Sequence, residues 1–241
     1  VTAGASFDLP GDEARHVVRV LRLRPGERIA VFDGKGNEWR AAIERCDRGR
    51  VTARLEAPVT DPVDPALEIV LFQGLCKPDP MAWLVQKATE VGISAVFPFV
   101  SGRTGRLAVT EQRLARWRRV AVEACKQSGR RRVPRVEVCQ ALPAPPTPGT
   151  LGLLLDPAPG ARPLADHCDL ASVPPRSVWL AVGPEGGFDP EEVASWVGRG
   201  WQRAGLGPRT LRADTAGVVA ASILLHRWSD LGSGAAGGGG C

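Results

Sequence analysis

Four short apolar runs, Leu67–Phe72, Ala95–Val100, Leu151–Leu155 and Val178–Val182, constrain this chain more than any other feature. Each is bounded by turn residues and is too short for a globular helix. Runs of this kind are strands buried on both faces, the condition of a parallel sheet covered by helices on both sides. The segments between them carry helix signals. Asp79 and Pro80 make a cap and first-turn pair, Met81, Leu84, Val85, Ala88 and Val91 share one face, and Gly92 stops that helix. A second helix is expected from about Thr110 to Ser128, with Leu114, Trp117, Ala121, Ala124 and Cys125 inward. Asp189 and Glu192 have the spacing of a capping box, with Pro190 at the first helical position. A last helix is expected at roughly Ala216 to Trp228. Trp83, Trp117 and Trp196 fall in helices and read as core residues rather than base-stacking groups. Strands alternating with helices imply an α/β domain with a mainly parallel sheet.

The first 60 residues follow another pattern. "RIAVFDGKGNEWRAAIERC" holds two β-type runs about the turn Asp33 to Asn37, and "RVTARLEAP" alternates apolar and polar positions, as in a small β-barrel-like domain. "VTDPVDPALE" reads as a linker, so the expected domains are 1–60 and 66–229. Residues 230–241, mostly Gly, Ala and Ser, offer nothing to a core and are expected to be a disordered tail.

Charge is distributed unevenly. From Ser101 to Arg135 there are eleven Arg or Lys and two acids, an excess that points to a polyanionic partner such as nucleic acid. The competing reading is a solvated helix face. Six scattered cysteines without a CxxC pair, and three distant histidines, suggest no metal site and no redox motif. No apolar run reaches the roughly 20 residues that span a bilayer, and the first residues lack the blocks of a signal peptide, so a soluble cytoplasmic protein without a membrane partner is expected.

Ligands of open parallel sheets bind beyond the carboxyl ends of the strands. Three loops qualify by sequence: "LLLDPAPG", "GPEGGFDP" and "LGPRTLRADTAG". Gly183 to Gly187 packs three glycines, a proline and an acid in front of a helix. Bare N–H groups at a helix start favour anions, yet Glu185 repels a phosphate, and neither the GxxxxGK[ST] nor the GxGxxG pattern is present. The loop is shaped for a ligand other than a bare phosphate. Taken singly, each loop is equally well read as a tight strand-to-helix turn.

"GPEGGF" followed by "LGPRTLRADTA" resembles the RsmE family, 16S ribosomal RNA uridine N3-methyltransferases of the SPOUT (trefoil-knot) superfamily. "HVVRVLRLRPGERIAVFDGKG" is similar to the family's PUA-like RNA-binding domain, "KPDPMAWLVQKATEVGI" to its first catalytic-domain helix, and "EACKQSGRRRVP" to its Glu-Gln-Ser-Gly-Arg segment. Departures are Lys126, where the family has an acid, and "RADTA" in place of Arg-Thr-Glu-Thr-Ala. The resemblance implies a knotted, mainly parallel sheet with helices on both faces, preceded by the PUA-like barrel. S-adenosylmethionine is the implied cofactor, held by Leu155, Pro157, Gly183, Pro184, Glu185, Gly186, Gly187, Leu206, Gly207 and Leu211. It further implies 16S rRNA or the small ribosomal subunit as partner, and a homodimer whose two-fold contact uses the last helix. The broad apolar distribution of Val218, Val219, Ile223 and Leu225 around that helix is consistent with a second buried face, or with a helix buried in the core.

The chemistry restricts the remaining roles. A uridine N3–H must lose its proton before it becomes a nucleophile, and arginine suits the resulting anion because it stays charged and forks across neighbouring oxygens. Arg209, Arg212 and Arg103 are the candidates, with phosphate anchoring as their alternative role. Asp214 or Glu185 accepts the proton; Glu185 has the alternative of bonding loop amides. His16, Arg19, Arg22 and Arg24 offer a basic edge to RNA, or a strand with a solvated face, and Arg130, Arg131 and Arg132 extend the basic block. A protein that keeps the fold and binds RNA without turnover is the competing reading, supported by Lys126 and "RADTA" alone.

Overall fold

Two antiparallel hairpins build the N-terminal part. The computed structural model describes residues 3–47, 49–104, 108–141, 143, 148–171 and 173–232, in two units, Val1–Val63 and Asp64–Cys241. In the first, strands β1 (Ser6–Asp8), β2 (Arg28–Phe32), β3 (Glu38–Asp47) and β4 (Arg50–Val59) form an antiparallel sheet in the order β1-β4-β3-β2. The β2–β3 turn is closed by Asp33, whose Oδ1 accepts from the N–H groups of Lys35 and Asn37 at 2.7 and 3.1 Å. Such Asx turns are why Asp recurs at this place in hairpins.

The segment "HVVRVLRLR" is helical as far as Leu21 and is not a strand edge. Helix α1 (Gly11–His16) runs into one π-helical turn, Val17–Leu21, and ends at Arg22 in the left-handed conformation, φ 55°. Pro10 fixes the entry, Asp12 and Glu13 complement the positive end of the helix, and Ala14 and Val17, three apart, pack on Ile43 and Val51. That spacing of three, rather than the alternation of Val and Arg, decides the local structure.

The second unit contains β5 (Glu68–Gly74), α2 (Pro78–Val91), β6 (Ala95–Phe99), α3 (Glu111–Ser128), β7 (Arg135–Val136), β8 (Thr150–Leu155), β9 (Arg162–Pro163), α4 (Leu164–Leu170), β10 (Ser177–Val182), α5 (Pro190–Gly198), β11 (Gln202–Gly205) and α6 (Ala213–Trp228). The seven strands are all parallel, in the order β7-β6-β5-β10-β8-β11-β9. Alternate residues of β5 serve opposite faces: Ile69 and Leu71 join Leu153, Val178 and Leu180 beneath α2, α3, α4 and α6, while Val70 and Phe72 face α5. The α5 side is aromatic, with Trp196 and Trp201 edge to face at 4.6 Å between centroids and Phe72 touching both.

Helix ends follow local chemistry. Asp189 accepts from the Glu192 N–H and the Glu192 carboxylate accepts from the Asp189 N–H, so the capping box is complete. Thr110 caps α3, whose five expected inward residues are all buried. Gly92 ends α2 with φ 109°. Two helices begin earlier than their sequence signals: α2 at Pro78, with Lys77 as cap, and α6 at Ala213. Trp83 is 42% exposed and is not a core residue, whereas Trp117 and Trp196 are. Ile223 is 39% exposed, so α6 is not enclosed on all sides. Among the described residues no helix is long and apolar enough to cross a membrane. Most of the tail, 233–241, lies outside the described residues.

Candidate active site

Strands β5, β10, β8 and β11 are consecutive neighbours and parallel, so the loops leaving their carboxyl ends converge on one edge of the sheet. There they enclose a cavity of about 730 Å³, within the range of small-molecule sites. β10 supplies Gly183 to Phe188, β8 supplies Leu155, Asp156 and Pro157, and β11 supplies Leu206, Gly207 and Arg209 to Arg212. β5 adds Cys76, Lys77 and Pro80.

Much of the wall is main chain, and glycine is what allows it. A Cβ at Gly183 would lie 3.0 Å from the backbone of Gly187 and Phe188. One at Gly74 would lie 2.4 Å from the Pro184 nitrogen, so β5 and this loop touch backbone to backbone. The Gly187 N–H donates to the Pro184 carbonyl at 2.8 Å and closes the turn. Gly187 and Gly207 have φ of 70° and 99°, and a Cβ at either would meet no atom within 4 Å. Both therefore present bare backbone to open space.

The charged groups divide into committed and uncommitted. Asp214, buried in the first turn of α6, accepts two hydrogen bonds of 3.0 Å from Arg212, Nε to Oδ1 and Nη2 to Oδ2. Those bonds hold the Arg212 guanidinium above the ordinary arginine pKa. Asp156 accepts from the Ala158 N–H and from Arg203 Nε. Glu185 is exposed, and no loop amide bonds it among the described residues; it is the lining carboxylate with both oxygens open. Lys77 and Arg209 likewise line the cavity without an ion pair among the described residues. Burial pushes the Cys76 thiol up to about 12, with help from the nearby charges of Glu185 and Asp214, so it is neutral at physiological pH.

All ten proposed cofactor contacts line this cavity, with Arg209, Arg212 and Asp214. Arg103 does not. Its Nη1 donates to the Gly186 carbonyl at 3.0 Å, and the adjacent Gly102 N–H donates to Glu192, so that turn braces the β10 loop from outside. His16, Arg19, Arg22 and Arg24 are exposed on and after α1.

The arginine run needs correction. Arg130 is 5% exposed, with Nε 3.0 Å from Asp64 and Nη1 donating to the Thr89 and Ile93 carbonyls at 2.9 Å. It ties the end of α2 to the segment before β5. Arg131 is 7% exposed. Only Arg132 faces solvent. Burial removes the first two from any phosphate, which a contact of this type requires to be reachable. Lys77, Cys76, Pro80 and Asp156 are lining residues that sequence reasoning missed. The carboxyl-end rule that picks out the loops of β8, β10 and β11 applies equally to β5.

Known proteins resemble this chain along nearly its whole length. Residues 63–225 match the RNA methyltransferase domain family and residues 9–56 the RNA methyltransferase PUA domain family. A ribosomal RNA small subunit methyltransferase E of Mycobacterium bovis is 34% identical over 239 residues, 93% of this chain and 89% of the relative. The protein of the same name from Bacillus subtilis is 26% identical, over 92% and 90%. The crystal structure of the Neisseria gonorrhoeae ribosomal RNA small subunit methyltransferase E, bound to S-adenosylmethionine, superposes with a TM-score of 0.84 at 30% identity, covering 95% of each chain. On the match of both domain families and of relatives along nearly its whole length, the chain belongs to the ribosomal RNA small subunit methyltransferase E family.

Proposed function

We propose that this protein methylates N3 of a uridine in the 16S rRNA of the small ribosomal subunit, using S-adenosylmethionine, in the cytoplasm. The observation that carries the reading is the cavity at the carboxyl ends of β5, β10, β8 and β11, walled by two Gly-Pro loops and lined, among the described residues, by the open carboxylate of Glu185 and the open cations Lys77 and Arg209. The residues fit the cofactor. Gly183, Gly187 and Gly207 offer backbone at close approach, while Leu155, Leu206 and Leu211 supply apolar wall, the combination an adenosine with a short charged tail requires. When bound, the cofactor supplies an electrophilic methyl group.

The chain's own groups divide the remaining work. Glu185 is the favoured proton acceptor for the uridine N3–H, because Asp214 and Asp156 already have both oxygens engaged. Asp214 acts through Arg212, holding its fork in one orientation so that the outer face of the guanidinium meets the anion that deprotonation creates. Arg209 stands beside it on the same loop. The exposed cations of the N-terminal unit, His16 to Arg24, suit RNA contact outside the cavity. The trefoil knot and the homodimer belong to the same reading. Ile223, exposed on α6, supports the two-fold contact. Sedimentation at micromolar concentration should give twice the chain mass, and a stable monomer that methylates RNA would remove the dimer. Mass-spectrometric mapping of small-subunit rRNA from cells lacking the protein tests the function: one uridine should lose its N3-methyl mark, and an unaltered map would contradict the reading.

A further inference from the structure

The cations of α3 are not equally committed. On α3, Arg118 is held by Glu111 and by the Val136 carbonyl, Arg113 donates to the Ala108 carbonyl, and Lys126 pairs with Glu123. That leaves Arg116 and Arg119, both exposed and one turn apart. Arg116 Nη2 lies 3.2 Å from Asp79 Oδ1, and Asp79 stands in the first turn of α2, two residues after Lys77. This contact brings α3 to the end of α2 that opens on the cavity. Lys77 lines that opening, and neither it nor Arg119 has an ion pair among the described residues.

The helix terminus itself contributes little here. Pro78 and Pro80 have no N–H, and the Met81 N–H is bonded to the Lys77 carbonyl. Attraction for an anion at this mouth must come from side chains. The Arg116–Asp79 pair is no obstacle, since both side chains are more than half exposed and such pairs are worth little in solvent, so a phosphate can take the place of Asp79. A base held in the cavity leaves its strand outside, with flanking phosphates at the mouth. We propose that Lys77, Arg116 and Arg119 form a phosphate track that leads the RNA strand from the cavity mouth across the start of α2 onto α3; this rests on reading the protein as an rRNA methyltransferase.

The test measures binding of transcribed small-subunit rRNA to the full chain over a salt series, for wild type, Lys77→Met, Arg119→Met, the double variant and an Arg199→Met control. Arg199 caps α5, on the opposite face of the sheet. Each track substitution should weaken binding several-fold at low salt, and should make the slope of log affinity against log salt shallower by about 0.7–0.9 for every phosphate that is no longer neutralised. Arg199→Met should keep the wild-type slope, and Arg119→Met the wild-type affinity for S-adenosylmethionine. An unchanged slope in the double variant, or equal flattening by Arg199→Met, overturns the track. If the wild type methylates rRNA while the double variant keeps its slope, only the track is refuted; if the wild type neither binds nor methylates rRNA, the functional reading falls with it.

Discussion

The loop Gly183 to Gly187 and the run Arg130 to Arg132 use the chain in opposite ways. The loop is made of backbone held against backbone, and its free groups face a cavity. Arg130 is a side chain folded inward, with its donors taken by Asp64 and two carbonyls. One region leaves bonding capacity open for a ligand, and the other consumes it in holding the fold. Residue type alone points the wrong way, since the loop carries one charge, that of Glu185, and the arginine run carries three. What separates them is whether polar groups already have partners.

The contrast is most easily broken at Arg130. Arg130→Met should leave the half-buried Asp64 carboxylate with the Arg132 N–H but without its counter-ion, and the Thr89 and Ile93 carbonyls without their donor, and destabilise the second unit by about 3 kcal/mol, read as a lowered denaturant midpoint. The salt dependence of RNA binding should stay as in wild type. A stable variant with a shallower salt slope would return Arg130 to the RNA surface.

At the loop the expected effects are reversed. Gly187→Val places a β-branched residue at φ 70°, strain of roughly 1–3 kcal/mol, and sends its side chain into the open space of the cavity. Affinity for S-adenosylmethionine should fall at least about tenfold, each tenfold being about 1.4 kcal/mol, with the unfolding transition of the chain largely retained because the loop is at the surface. Calorimetry showing unchanged affinity would remove the loop from the cofactor site.

A smaller effect sharpens the comparison within the cavity wall itself. Cys76 lines the cavity but is buried, and its pKa near 12 against an ordinary 9.0 keeps the proton on sulfur. At pH 8 that lowers the thiolate fraction by roughly a thousandfold, so iodoacetamide should label half-buried Cys46 well before Cys76. Because the folded state holds the proton more tightly, the associated stability is complete below pH 9 and is lost as pH rises from 9 towards 12. Rapid labelling of Cys76 in the folded protein would contradict its burial.

These cases also show what the sequence conveys. The capping box at Asp189 and Glu192 and the Gly92 stop depend on residues within four positions of each other, and both are legible. So were the Gly-Pro loops, because strand runs and the carboxyl-end rule place them. Arg130 was not, because its partner Asp64 is 66 residues away in a segment that reads as a linker. The carboxyl-end rule points to the loop with Lys77 as well, but it points equally to the loop after β6, and only the pairing of β5 with β10, a matter of strand order, tells the two apart. The α1 segment misleads because Val and Arg alternate there, while its burial follows Ala14 and Val17.

The central claim is that this cavity transfers a methyl group to rRNA. The direct measurement incubates the full chain with methyl-labelled S-adenosylmethionine and small ribosomal subunits from cells lacking the protein, then digests the RNA to nucleosides. The account predicts label in N3-methyluridine at a single position, and little or none with Gly187→Val. Label in another nucleoside, or no transfer by a wild-type protein that binds the cofactor, would contradict it.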